Sequence, residues 1–385
     1  MNKRDFLKTV GAAGVTAIVP RAAFAAASAD YGNLLILVEL KGGNDGLNTV
    51  VPYASPEYYA LRPRLGIARD QILQLDAKSG LHPSLQPLMP LWEGRELAVV
   101  QGLGYPNANL SHFRSIEIWD TASHSNEYLP DGWLGRAFAS SPAPRSYAAD
   151  GVVVGGAGLG PLAGSSTRSI ALSNPDQFIK QARLAGPGGQ AQPGALRHIF
   201  RVEADIAQAA SNMTGEHVFA TAFPNTPFGN AVRTAAQVVA TKAGVAVIKV
   251  SLNGFDTHSG QAATQARLLK DLADGLVALK GALIETGRWH STLVATYAEF
   301  GRRPRENQSG GTDHGTSSAH FVLGGRVIGG MYGEAPVLAQ LDGNGNLAHA
   351  VDFRQLYATI LQRWWGLDPQ AALRARYAAL PLVRA

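Results

Sequence analysis

Four short runs along the chain are apolar almost without interruption, and each ends in glycine or a polar turn. They cover residues 34–40, 97–101, 244–252 and 291–297, and the turns that follow are Gly42-Gly43-Asn44-Asp45-Gly46, Gly102, Asn253-Gly254 and Ala298-Glu299-Phe300-Gly301. Strands buried on both faces read this way, without the strict alternation of a half-exposed sheet. Between and after them, apolar positions recur at helical spacing over residues 81–92, 113–121, 196–211, 230–242, 261–286 and 353–365. Strands alternating with helices predict a three-layer α/β/α sandwich around a mostly parallel sheet. The expected unit is a single domain over residues 30–385.

The stretch 122–228 breaks this rhythm. It is rich in Ala, Gly, Pro and Ser and poor in clear strands, and reads as a loop-rich insertion or covering subdomain. Within it, residues 152–160 place clustered glycines after an apolar run, but Pro161 follows and no helix opens there, so a dinucleotide fingerprint is not expected.

Residues 1–25 stand outside the domain pattern. A basic start containing Lys3, Arg4 and Lys8, a weakly hydrophobic run and the small-x-small site Ala23-Phe24-Ala25 have the anatomy of a removable export signal. The order resembles a twin-arginine signal, with Lys3 in the place of the first arginine. Cleavage near Ala25 and a periplasmic or secreted protein are expected, with the export machinery as a partner. The full chain carries a net charge of +5, and losing these residues leaves +2. No nucleic-acid footprint is expected at that charge, and no apolar stretch in the body of the chain is long enough for a membrane span.

The chain has no cysteine, so any metal must be held by His, Asp, Glu or carbonyl oxygen. Such residues collect at the carboxyl ends of the expected strands, where open parallel sheets place their ligand crevice. Asp45 follows the first run, Ser111 and His112 the second after a loop, Asp256 and His258 the third, and Glu299 the fourth. Asp313 and His314 lie in a glycine-rich loop beyond, with His320 downstream. In an extended segment Asp256 and His258 project to one side, a carboxylate and imidazole suited to zinc or manganese; Asp256 reads equally as a helix cap. Gly310, Gly311 and Gly315 let the backbone around Asp313-His314 approach closely. Ser111 precedes a helical segment, either as its N-cap or as a nucleophile held where helix amides suit a phosphate or sulfate ester. His112 is a second catalytic candidate and reads equally as a satisfied polar residue or as an outer group that orients the site. Arg302 and Arg303 either pair with Glu299 or lie over an anionic ligand, and Asp45 is a turn residue or a ligand.

The joint pattern has the content of a metallohydrolase site. Ser111 and His112 are the catalytic candidates. Asp45, Asp256, His258, Glu299, Asp313 and His314 are the candidate ligands of a divalent metal (Zn, Mn, Ca or Mg), and a small anionic ester is the expected substrate.

The runs 42–52, Ser111-His112-Phe113, Phe255-Asp256-Thr257-His258, Glu299-Phe300-Gly301-Arg302 and Gly311-Thr312-Asp313-His314-Gly315 are similar in order and spacing to motifs of domain-of-unknown-function family 1501. These are exported bacterial proteins whose fold resembles the sulfatase and alkaline-phosphatase superfamily. The resemblance implies that Asp45 is the acid bridging the metals, Ser111 the nucleophile, and Asp256 and His258 ligands of one metal. It also implies that Glu299 is the acid of the Asp-His-Gly strand end and His314 the later histidine. Phe300 stands where that superfamily has a metal-binding histidine. Either Asp313 or His320 substitutes, or Asp313-His314-Gly315 is itself that motif, displaced. The function implied is an exported metal-dependent hydrolase of phosphate or sulfate esters, or alternatively a non-catalytic exported accessory or binding protein that retains a partial metal site.

Overall fold

The structure, a computed structural model, describes residues 29–156, 158–172, 217–241 and 243–384. The expected export signal and the expected helix at 196–211 lie outside them. No helix among the described residues is long and apolar enough to cross a membrane.

Among the described residues, nine strands form the central sheet: β1 (Leu34–Lys41), β2 (Leu97–Gly104), β3 (Ala149–Val154), β4 (Ser169–Leu172), β5 (Val245–Asn253), β6 (Thr292–Tyr297), β7 (Ser318–Leu323), β8 (Gly330–Tyr332) and β9 (Val351–Asp352). Their order is β8-β2-β7-β6-β1-β5-β3-β4, with β9 also on β2. Only β7 is reversed, running antiparallel to both β2 and β6. On β1, Leu34, Ile36, Val38 and Leu40 feed one core while Leu35 and Leu37 feed the other. Helices α3 (Pro227–Ala240) and α4 (Gln261–Glu285) pack on the first face through Phe228, Val232, Leu268, Leu272 and Leu276. Helices α1 (His112–Thr121), α2 (Trp133–Ser140) and α5 (Phe353–Thr359) cover the second through Trp119, Trp133, Phe138, Phe353 and Tyr357. The expected three-layer architecture with a mostly parallel sheet is what the chain forms.

The differences have local causes. Pro83, Pro87 and Pro90 lack the N–H a helix needs, so the expected helix at 81–92 is a 3₁₀ segment, Pro83–Leu88, followed by one short turn, Met89–Glu93. Part of the stretch expected as an insertion belongs to the sheet itself, because β3 pairs with both β4 and β5. The glycines after β3 lead into a 3₁₀ turn, Gly160–Leu162, rather than a helix.

Two histidines are buried among the described residues. Burial pushes His320 down to about 3. It pushes His82 down to about 4, although Asp45 acts in the other direction. Both are neutral in the fold yet take up a proton below about 6.5 in the unfolded chain, so stability is fully present above that pH and is lost as pH falls toward 3 or 4. His320 alone accounts for about 2 kcal/mol lost between pH 7 and pH 5. Urea unfolding at the two pH values should show His320→Phe losing correspondingly less; an unchanged difference would remove His320 as the cause.

Candidate metal centre

The loop after β1 turns through Gly42 and Gly43, at φ of 114° and 77°. A Cβ on Gly42 would strike the Asp256 backbone nitrogen, and one on Gly43 would strike the Phe300 ring. The glycines therefore let the loops after β1, β5 and β6 close on one another at the carboxyl edge of the sheet.

Three imidazoles converge there, each held from behind at Nδ1. His112, the first residue of α1, has Nδ1 2.8 Å from Glu299 Oε1. His258 has Nδ1 3.3 Å from Asp313 Oδ1. His314 donates from Nδ1 to the Leu110 carbonyl at 2.7 Å, since a carbonyl only accepts. All three Nε2 atoms consequently turn inward on the Asp256 carboxylate. His112 Nε2 lies 3.3 Å from Oδ2, and His258 and His314 each lie 3.2 Å from Oδ1. The Nε2 atoms of His258 and His314 are 3.0 Å apart.

Burial holds His314 below the usual imidazole range, with the nearby Arg302 and His112 acting in the same sense. Its Nε2 is therefore a bare lone pair at neutral pH, facing a second imidazole nitrogen at hydrogen-bond distance. Partial burial alone would raise Asp256, but the Arg302 guanidinium overrides it and the carboxyl is held at about 2. Imidazole nitrogens and a carboxylate aimed at one point have the chemistry of a donor set for a cation. The dimensions agree around Asp256: ligands at about 2.0–2.1 Å around a tetrahedral zinc stand about 3.3 Å from one another, close to the 3.2–3.3 Å between its oxygens and the three Nε2 atoms, although His258 lies outside the group whose ligand atoms are all mutually close. His112, Asp256 and His314 are also the one group of three or more such side chains among the described residues whose ligand atoms fall within 4.8 Å of each other.

The remaining sequence candidates occupy different places. Asp45 stands apart from the donor set: its buried carboxylate is gripped by Arg62 at 2.6 and 3.0 Å, accepts from Gln261, and caps the short helix Gly46–Thr49. Glu299 and Asp313 meet the Nδ1 atoms of His112 and His258 rather than the inward-facing Nε2 atoms. Glu299 pairs with neither arginine that follows it; its Oε1 accepts from Gly42 N–H at 2.9 Å as well as meeting His112. Arg302 instead holds Asp256 Oδ1 at 2.7 Å, and its other donors reach the carbonyls of Gly42, Gly43, Phe255 and Thr312. Phe300 forms an apolar wall, its ring centroid 4.8 Å from that of His112 and 4.4 Å from that of His314. His320 lies in the core with Nδ1 3.4 Å from Thr296 Oγ1, outside the group. Ser111 is the N-cap residue of α1, yet its hydroxyl makes no capping bond. The residues on either side of it, Leu110 and His112, both touch the cluster.

Sequence reasoning gave His112 a catalytic or outer role and did not find its membership of the donor set; the available signal was its position directly beside Ser111 at a helix start. Arg62 went unnoticed because nothing along the chain marks it as facing Asp45.

The family model described as "Protein of unknown function (DUF1501)" matches residues 97–377. The chain belongs to that family. No curated protein matches this DUF1501 member. Among solved structures it is similar to the zinc complex of the C-terminal periplasmic domain of EcEptC from Escherichia coli, at 10% identity and TM-score 0.37 over 77% of this chain and 74% of that one. It is also similar to the PsFucS1 sulfatase from Pseudoalteromonas sp., at 11% identity and TM-score 0.38 over 91% and 70%. The alkaline phosphatase of the Antarctic bacterium TAB5 matches at 12% identity and TM-score 0.31 over 78% and 94%.

Proposed function

We propose that this DUF1501 member is an exported metal-dependent hydrolase of phosphate or sulfate esters, with His112, Asp256, His258 and His314 holding a divalent cation. The observation that carries the reading is the orientation of the three imidazoles. Each is fixed through Nδ1 by Glu299, Asp313 or the Leu110 carbonyl so that Nε2 faces Asp256. Metal-binding histidines are characteristically oriented by such outer partners. A divalent cation bound there supplies Lewis acidity, which polarises an ester and acidifies a nearby hydroxyl.

The chain's own groups divide the remaining work. Ser111 offers a hydroxyl free of capping duty at the start of α1, where first-turn N–H groups favour developing negative charge. Phe300 excludes water from one side of His112 and His314. Arg302 fixes Asp256 while tying the loops after β1 and β5 to each other.

The test is Ser111→Ala assayed with 4-nitrophenyl phosphate and 4-nitrophenyl sulfate after loading with zinc, manganese, calcium or magnesium. As nucleophile, Ser111 is required for turnover and dispensable for metal content and stability, because only the attacking oxygen is lost. Spared activity with about 1 kcal/mol of lost stability would identify a helix cap instead. If the wild-type protein hydrolyses neither ester with any of the four metals, the hydrolase reading fails in favour of a binding protein.

A further inference from the structure

The charges joined to the cluster by direct contact can be counted among the described residues. Asp256, Glu299 and Asp313 each contact a histidine of the site. One guanidinium, Arg302, sits on Asp256 with no exposed side-chain surface. Three carboxylates against one arginine leave two negative charges when the histidines are neutral. Asp45 adds nothing to the count, since Arg62 cancels it in a closed pair, and Arg303 lies near Asp342 as well as Asp313.

From this balance we infer that the cleft takes one divalent cation and, being neutral once it is bound, selects esters bearing a single negative charge over dianionic phosphate monoesters. The inference rests on the metal-site reading above and deepens it. A second cation at the usual spacing of about 3.5–4 Å would need further anionic oxygen. Asp256 Oδ1, the oxygen nearest both His258 and His314, already carries the Arg302 Nη2 at 2.7 Å. A cation sharing that oxygen would face a buried guanidinium across a few ångströms in a setting where Coulomb repulsion is little screened. Asp45 is enclosed by Arg62 and Gln261, and Glu299 Oε2, buried without a hydrogen-bond partner, belongs to a carboxylate already engaged through Oε1 by His112 and the Gly42 amide. Arg302 thus acts as a positioning residue that supplies fixed positive charge where a second ion would otherwise be required. Its guanidinium cannot be displaced or lost by deprotonation at ordinary pH. The shared chemistry of the favoured ligands is a tetrahedral centre with one net charge, found in sulfate monoesters and in phosphodiesters.

The experiment has three arms on the full chain. Plasma mass spectrometry after loading with zinc should find one cation per chain; two would overturn the inference. Calorimetric titration at pH 9 of the loaded protein should find phenylmethanesulfonate, a monoanion, binding more tightly than benzylphosphonate, a dianion of nearly the same shape; the reverse order would overturn it. Asp313→Asn keeps an acceptor for His258 while removing one negative charge from a side chain that is 52% exposed. It should raise the benzylphosphonate-to-sulfonate affinity ratio by on the order of tenfold with the cation count unchanged, and an unchanged ratio would contradict the charge argument. Turnover of 4-nitrophenyl sulfate against bis(4-nitrophenyl) phosphate then separates the two favoured sources. The charge inference and the hydrolase reading fail separately: one cation with sulfonate preferred but no turnover of either ester supports the former and sinks the latter.

Discussion

His314→Ala should strip the cation from the protein, lowering affinity by about 100-fold or more, since even outer partners of metal ligands are worth about 10- to 100-fold. The substitution removes an Nε2 that lies 3.2 Å from Asp256 and 3.0 Å from the His258 Nε2, so the donor set loses an atom in contact with two of the remaining three members. It also frees the Leu110 carbonyl, which anchors the segment leading into Ser111 and α1. Metal content by mass spectrometry and turnover should fall together. His320→Phe, placed in the core away from the cluster, should leave metal content intact. If His314→Ala retained a full complement of cation, the imidazole cluster would be a hydrogen-bonded surface feature and the proposed centre would be lost.

Arg62→Leu should destabilise the fold by about 3–5 kcal/mol, the range expected when a buried ion pair loses one partner. Both members are almost wholly buried, with Arg62 forked on Asp45 and also bonded to Asn48 and to the carbonyls of Arg303 and Pro304. Without the guanidinium, Asp45 keeps only Gln261 and the Leu47 amide as donors, and a lone carboxylate in that setting is poorly solvated. Adding Asp45→Asn should recover part of the loss, because the stranded charge goes with it. Denaturant titration gives the stabilities, and metal content distinguishes the roles. Asp45→Asn alone should be less stable than the wild type yet bind the cation normally, whereas loss of the cation would make Asp45 a ligand after all.

These expectations show which parts of the molecule were legible along the chain. The four apolar runs became β1, β2, β5 and β6 within a few residues because strands buried on both faces are apolar at nearly every position. The helix expected at 261–286 is Gln261–Glu285, a long amphipathic repeat with no proline to interrupt it. β7 was not legible. It holds His320 and Ser318 among apolar residues, and its place between β2 and β6 depends on pairing partners far away in sequence.

The sequence by itself determined the layered α/β architecture and the collection of Asp, His and Glu at the carboxyl ends of the strands, because periodicity and strand ends are properties of neighbouring residues. It also determined that any metal must be bound without thiolates, since no cysteine is present. Only the tertiary structure decided the role of each charged group. Tertiary packing set Asp45 against Arg62, turned Arg302 onto Asp256 instead of Glu299, and brought His112 into the donor set with Glu299 behind it. The physical reason is that a buried charge takes its role from the partners within a few ångströms in a weakly screening interior, and those partners come from loops as far apart in the chain as residues 45, 112, 256 and 314.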